Sequence, residues 1–165
     1  MKKLLLVLAI ALGAASYSTA QEISGNALGI RIGDGDGLGT ELSYQRALGG
    51  NNRLELDLGY EDGRNFNAFK LTGMYHWVWN IDGGFNWYAG PGGGFAVVSI
   101  DDDFPGRLDS DDDSETSVFV GGQVGIEYNF DIPLLLSLDV RPEFYFGEFR
   151  DGNDIDIALG IRYQF

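Results

Sequence analysis

Cysteine is absent from this chain of 165 residues, which excludes disulfides, thiolate nucleophiles and cysteine-ligated metals. Histidine occurs once, as His76, so general-base chemistry near neutral pH has a single obvious carrier. Cations are scarce: 11 Lys+Arg stand against 25 Asp+Glu, for a formal charge of -14. That balance disfavours nucleic acid as a partner. No apolar run reaches the roughly 20 residues of a membrane-spanning helix. Helical periodicity is missing throughout. Glycine is plentiful, at 25 residues, and 44% of the chain is hydrophobic, too much for a disordered acidic chain. The length suits one domain of modest size.

Lys2 and Lys3 precede an apolar run over 4–15, and Ser18, Thr19 and Ala20 follow. This order predicts a secretory signal peptide over 1–20, ending at Ala20. The run of about 12 residues is too short to serve as a membrane anchor. The remaining 21–165 form the expected single domain, in which Lys70 is the one lysine.

That domain alternates with period two, the signal of strands. Eight are expected, near 26–32, 38–46, 53–61, 66–79, 84–100, 117–129, 134–148 and 154–165. The third is the cleanest: Leu54, Leu56, Leu58 and Tyr60 alternate with Arg53, Glu55, Asp57, Gly59 and Glu61. Gly- and Asn-rich segments separate the strands. Pro91 cannot donate to a ladder, so a bulge is expected there. An even number of strands joined in sequence can close into a barrel without edges. The predicted fold is therefore all-β, an eight-stranded antiparallel up-and-down barrel.

Alternation alone leaves open which side faces in. A soluble ligand-carrying barrel puts its apolar residues inside, and a transmembrane barrel puts them outside. The polar parity is rich in Gly and poor in Lys, unlike a water-facing surface. It holds Arg31, Arg53, Lys70, Arg141 and Arg162 beside Glu41, Glu55, Asp57, Glu61, Glu127, Asp139 and Glu143. These are expected to neutralise one another in a lumen. Aromatic residues collect near both ends of the apolar faces, as two interfacial belts do: Tyr44, Trp77, Trp79, Phe85, Trp87, Tyr128, Phe130, Tyr163 and Phe165 toward one end, Tyr60, Phe69, Phe95, Phe144 and Phe146 toward the other. Short turns at 48–52, 80–83 and 131–133 are expected on the periplasmic side, and the longest loop, 101–116, outside.

The chain ends Ile161-Arg162-Tyr163-Gln164-Phe165, and Trp87-Tyr88-Ala89-Gly90 leads into a glycine run. On these features it resembles the small outer-membrane β-barrel proteins of Gram-negative bacteria, the group with OmpA-like and OmpX-like barrels. The resemblance covers 21–165. It implies residence in the cell outer membrane and contact with outer-membrane lipid. It also implies that Tyr163 and Phe165 form a signal read by the barrel assembly machinery. Pro91 departs from the group's usual strand. The group is functionally diverse, so the resemblance delivers no activity.

The expected role is structural or surface-interacting, in a monomer without an open channel, enzymatic activity, cofactor or metal. Eight strands enclose a space that side chains can fill. Gly90, Gly92, Gly94, Gly121, Gly125 and Gly160 on the inner parity either relieve crowding or leave space. Two alternatives compete: a lipid-modifying barrel enzyme centred on His76, and a secreted soluble barrel that binds an apolar ligand. Asp34, Asp36 and the triplets 101–103 and 111–113 read as solvated acidic loops, because no regular calcium-loop spacing is present.

Overall fold

The computed structural model describes residues 23–33, 39–63, 66–100, 114–147 and 151–165. The expected signal peptide, Asp34 and Asp36, and most of the long acidic loop lie outside the described residues. Within them the chain forms eight strands: β1 (Asn26–Gly33), β2 (Thr40–Gly49), β3 (Asn52–Asp62), β4 (Phe66–Asp82), β5 (Phe85–Ile100), β6 (Ser114–Asn129), β7 (Leu134–Gly147) and β8 (Gly152–Gln164). Each pairs antiparallel with its sequence neighbours, and β8 returns to β1, so the sheet is a closed barrel.

Closure gives every strand a partner on both sides, and the alternation of side chains then separates two environments. Arg53, Glu55 and Asp57 are at most 1% exposed, while their neighbours Leu56 and Leu58 are 40% and 38% exposed. The same division runs along β8, where Asp156, Ala158, Gly160 and Arg162 are buried and Ile155, Ile157, Leu159, Ile161 and Tyr163 are exposed. The core of this protein is the charged face, and the apolar face is its surface.

The strands are not equal. β4, β5 and β6 have 17, 16 and 16 residues, and β1 and β2 only 8 and 10. The link between β2 and β3 is a tight turn in which Gly49 and Gly50 take φ of 105° and 56°, the left-handed region open to glycine. Register shifts sit beside turns, between Ala47 and Gly49 and between Asn80 and Asp82. The expected bulge at Pro91 is corrected. The register with β4 is the same on both sides of Pro91, and Pro91 itself faces Gly122 of β6. The ring points outward, and the wall absorbs the missing donor without adding a residue.

Candidate functional site: the charged lumen

The lumen is built from inward residues of all eight strands. Its charged members among the described residues are five cations (Arg31, Arg53, Lys70, Arg141, Arg162) and seven carboxylates (Glu41, Glu55, Asp57, Glu127, Asp139, Glu143, Asp156), all buried. In a low-dielectric interior each charge needs a partner. Arg31 of β1 bonds Glu41 at 2.9 Å, Asp139 at 2.6 Å and Asp156 at 2.5 Å. Tyr88 Oη donates to the other oxygen of Asp139 at 3.1 Å.

A second group centres on Glu55. It accepts from Arg162 Nη2 at 3.0 Å, Gln45 Nε2 at 2.5 Å and Gln123 Nε2 at 3.1 Å, with Arg141 Nη2 at 3.4 Å. Arg141 also donates to Asp57, and its Nη1 lies 3.5 Å from Glu41. Arg162 Nε and Nη1 donate to the hydroxyls of Ser43 and Ser137.

Toward the outer end Lys70 Nζ bonds Glu143 at 2.7 Å, and Tyr145 Oη donates to the same carboxylate at 2.6 Å. The ammonium also lies 4.9 Å from the centre of the Phe119 ring. Toward the other end Arg53 Nη1 lies 2.6 Å from Glu127, and its guanidinium sits 4.5 Å from the centre of the Tyr88 ring.

Eleven of the twelve charged residues expected in the lumen are thus buried there. The twelfth, Glu61, has the inward parity but sits half-buried near the outer end of β3. Sequence reading left out Asp156, although it shares the parity of Arg162 and bonds Arg31. Of the inward fillers Met74, Tyr88, Phe119, Gln123 and Tyr145, all buried, the parity reading places Tyr88, Gln123 and Tyr145 on this face and leaves out Met74 and Phe119. The signal for each was its parity. What hid Phe119 was its type, since aromatic residues also populate the outer belts.

The inner glycines relieve crowding. A Cβ at Gly90 would stand 1.7 Å from the carbonyl oxygen of Tyr75, and one at Gly94 would stand 2.0 Å from that of Leu71 and 2.8 Å from the Phe119 ring. Phe119 fills the space left at Gly94, and Met74 the space left at Gly92. A shallow cavity at the turn end, lined by Ala27, Gln45, Arg53, Glu127 and Leu135 among others, has room for about one water.

His76 lies in the same network. Arg53 Nε donates to its Nδ1 at 3.2 Å, and its Nε2 lies 3.1 Å from Gln123 Oε1. The assigned tautomer therefore carries its proton on Nε2. Both ring nitrogens are engaged by fixed lumen groups, so neither is presented to a substrate. Among the described residues no group of three or more His, Asp or Glu is placed to hold a metal ion.

Outside, the wall is Leu, Ile, Val and aromatic. Trp79 stacks on Trp87 with ring centres 4.3 Å apart, and Phe85, Tyr128 and Phe130 continue the cluster. Tyr163 and Phe165, whose rings are 6.3 Å apart, are 60% and 62% exposed. A soluble barrel carrying an apolar ligand has the reverse arrangement, so that alternative is corrected by the charged interior.

No protein-family model matches the chain, and no curated protein matches it. Solved structures do. The crystal structure of Neisserial surface protein A superposes with a TM-score of 0.59 at 15% identity, covering 85% of this chain and 94% of that one. The N-terminal β-barrel domain of Pseudomonas aeruginosa OprF gives 0.53 at 18% identity, covering 86% of this chain and 98% of that one. Identities this low speak for the fold alone, and the fold is the eight-stranded barrel of small outer-membrane proteins.

Proposed function

We propose that residues 21–165 are an integral outer-membrane barrel, delivered by a signal peptide over 1–20, with a structural or surface-interaction role and no open channel. The observation that carries this reading is the inversion of the core: the charged residues are paired inside and the apolar ones cover the outside. In hydrocarbon an unpaired backbone amide costs several kcal/mol, so only a closed sheet is tolerated. A lumen crossed by Arg31, Glu55, Arg141 and Arg162 favours a plug over a conduit. Its partners are membrane lipid and the assembly machinery, which reads the aromatic end at Tyr163 and Phe165, and it acts as a monomer. His76 serves as a lumen filler.

Cell fractionation with heat-modifiable gel migration of the refolded chain tests this reading. Recovery with outer membranes, and a faster-migrating unboiled band, are the expected results. Extraction into the aqueous fraction without detergent would refute membrane residence. Steady conductance in planar bilayers would refute the sealed lumen.

A further inference from the structure

The polar groups of the lumen are not all equally served. At the turn end a shallow cavity lies between the half-buried Ser24, Asn129 and Gln164 and a buried floor of Arg53, Glu127 and Leu135. The half-buried groups have partners: Gln164 Nε2 donates to Asn129 Oδ1 at 2.8 Å, and Ser24 Oγ to the carbonyl of Asn26 at 2.9 Å. The floor is different. Arg53 Nε donates to His76 and Nη1 pairs with Glu127, which leaves Nη2 buried with no hydrogen-bond partner among the described residues. Glu127 Oε1 accepts from Asn86 Nδ2 at 3.2 Å, whereas Oε2, although 2.6 Å from Arg53 Nη1, is not aligned for a hydrogen bond. Arg53 is 1% exposed and Glu127 3%. A buried donor and a buried acceptor left over on the lining of one cavity suit a molecule that carries both functions. The room there is that of about one water.

Behind this floor the next row is closed by its own bonds. Gln45, which also lines the cavity, donates to Glu55, whose remaining acceptor sites go to Arg162, Gln123 and Arg141. Met74, the register partner of Glu55, covers Gly92 beside it. Asp57 Oδ1 and Thr72 Oγ1 also lack hydrogen-bond partners, but they lie past this row, and neither residue lines the cavity. Phe119 shares their register row through Gly94, and its ring covers that glycine.

We propose that the cavity is a hydration site served from the turn end alone. One water accepts from Arg53 Nη2, donates to Glu127 Oε2, exchanges with the periplasm past Ser24, Asn129 and Gln164, and goes no further than the row of Glu55. The lumen is then a shallow polar well with a closed bottom, wet at one end and dry at the other. The floor pairs one cation with one carboxylate, so it suits an uncharged molecule of this size and not an ion, which would bring an unmatched charge. This rests on the membrane-barrel reading above and keeps the lumen sealed.

Hydroxyl-radical footprinting of the refolded barrel in vesicles tests the proposal, because X-ray radiolysis makes radicals from bound water as well as from bulk water. Leu135, 2% exposed, reports on the cavity, and Phe119, 3% exposed, on the space past Glu55. After correction for intrinsic reactivity, Leu135 should be oxidised several-fold faster than Phe119. Ala27 also lines the cavity, and Ala27→Val puts two more carbons there. That variant should bring Leu135 down to the rate of Phe119 while the unboiled band keeps its fast migration. Equal protection of Leu135 and Phe119 in the wild type would overturn the hydration site, whether or not the variant folds. Equal, rapid oxidation of both would overturn its confinement to one end. Undiminished oxidation of Leu135 in a folded Ala27→Val barrel would overturn the assignment to this cavity. Leu138, which points outward, separates the two readings. Its oxidation at the rate of a water-exposed side chain would refute the membrane barrel itself, whereas a lipid-shielded Leu138 beside a protected Leu135 refutes only the hydration site.

Discussion

The two faces of each strand obey opposite rules, although they are cut from the same residues in alternation. Inside, position is fixed by pairing: Arg31 reaches three carboxylates on β2, β7 and β8. Outside, Leu138, Val124 and Ile157 have no polar group to satisfy, and shape matters little to fluid lipid. The difference teaches where the chain tolerates change. The inner face is sensitive to the loss of any one partner, and the outer face is sensitive to the arrival of charge.

Four substitutions would break or sharpen this contrast, each read by urea unfolding of the refolded barrel in vesicles. The largest effect is expected for Arg141→Ala, which leaves Asp57 and Glu55 short of a counter-charge, at about 3–5 kcal/mol of lost stability. A loss under 1 kcal/mol would mean that the lumen is wet enough to screen its charges. Next comes Val124→Arg on the outer wall, at about 2–4 kcal/mol if it sits near mid-bilayer, with poor insertion. A neutral result there would place that wall in water. Gly90→Ala forces a Cβ into the Tyr75 carbonyl and should cost about 1–3 kcal/mol, where the same exchange at a roomy site would stabilise. The smallest effect is expected for Trp79→Ala. It loses the stack on Trp87, about 0.5–1.5 kcal/mol beyond lost area, and tests whether the outer rim needs specific contacts at all.

Much of this was legible in the sequence because parity is a local property. A residue two places from Arg53 shares its face whatever the rest of the chain does, so Glu55 and Asp57 could be assigned together. Strand ends were harder. β2 runs on past Arg46 to Gly49, because the turn at Gly49 and Gly50 is tighter than composition suggests. Partner choice was not legible at all. Asp139 meets Arg31 because β8 pairs with both their strands, Gly160 facing Arg31 and Ala158 facing Asp139, and no local pattern encodes the sum of those two registers. Glu61 shows the limit of parity from the other side: the face is right, but the height puts it at the mouth. Pro91 was misread because a missing donor was taken to demand an extra residue.

The clasp around Arg31 joins residues 108 and 125 positions apart in the chain. It cannot exist in a hairpin, nor in a half-curled sheet. Until β1 and β8 meet, five cationic side chains have only some of their counter-ions in reach, and lipid offers none. Stepwise threading of single hairpins through the bilayer is therefore the costly route. The cheaper one curls the sheet at the water boundary and lets it sink as the last seam shuts, so that crossing and closing are one event.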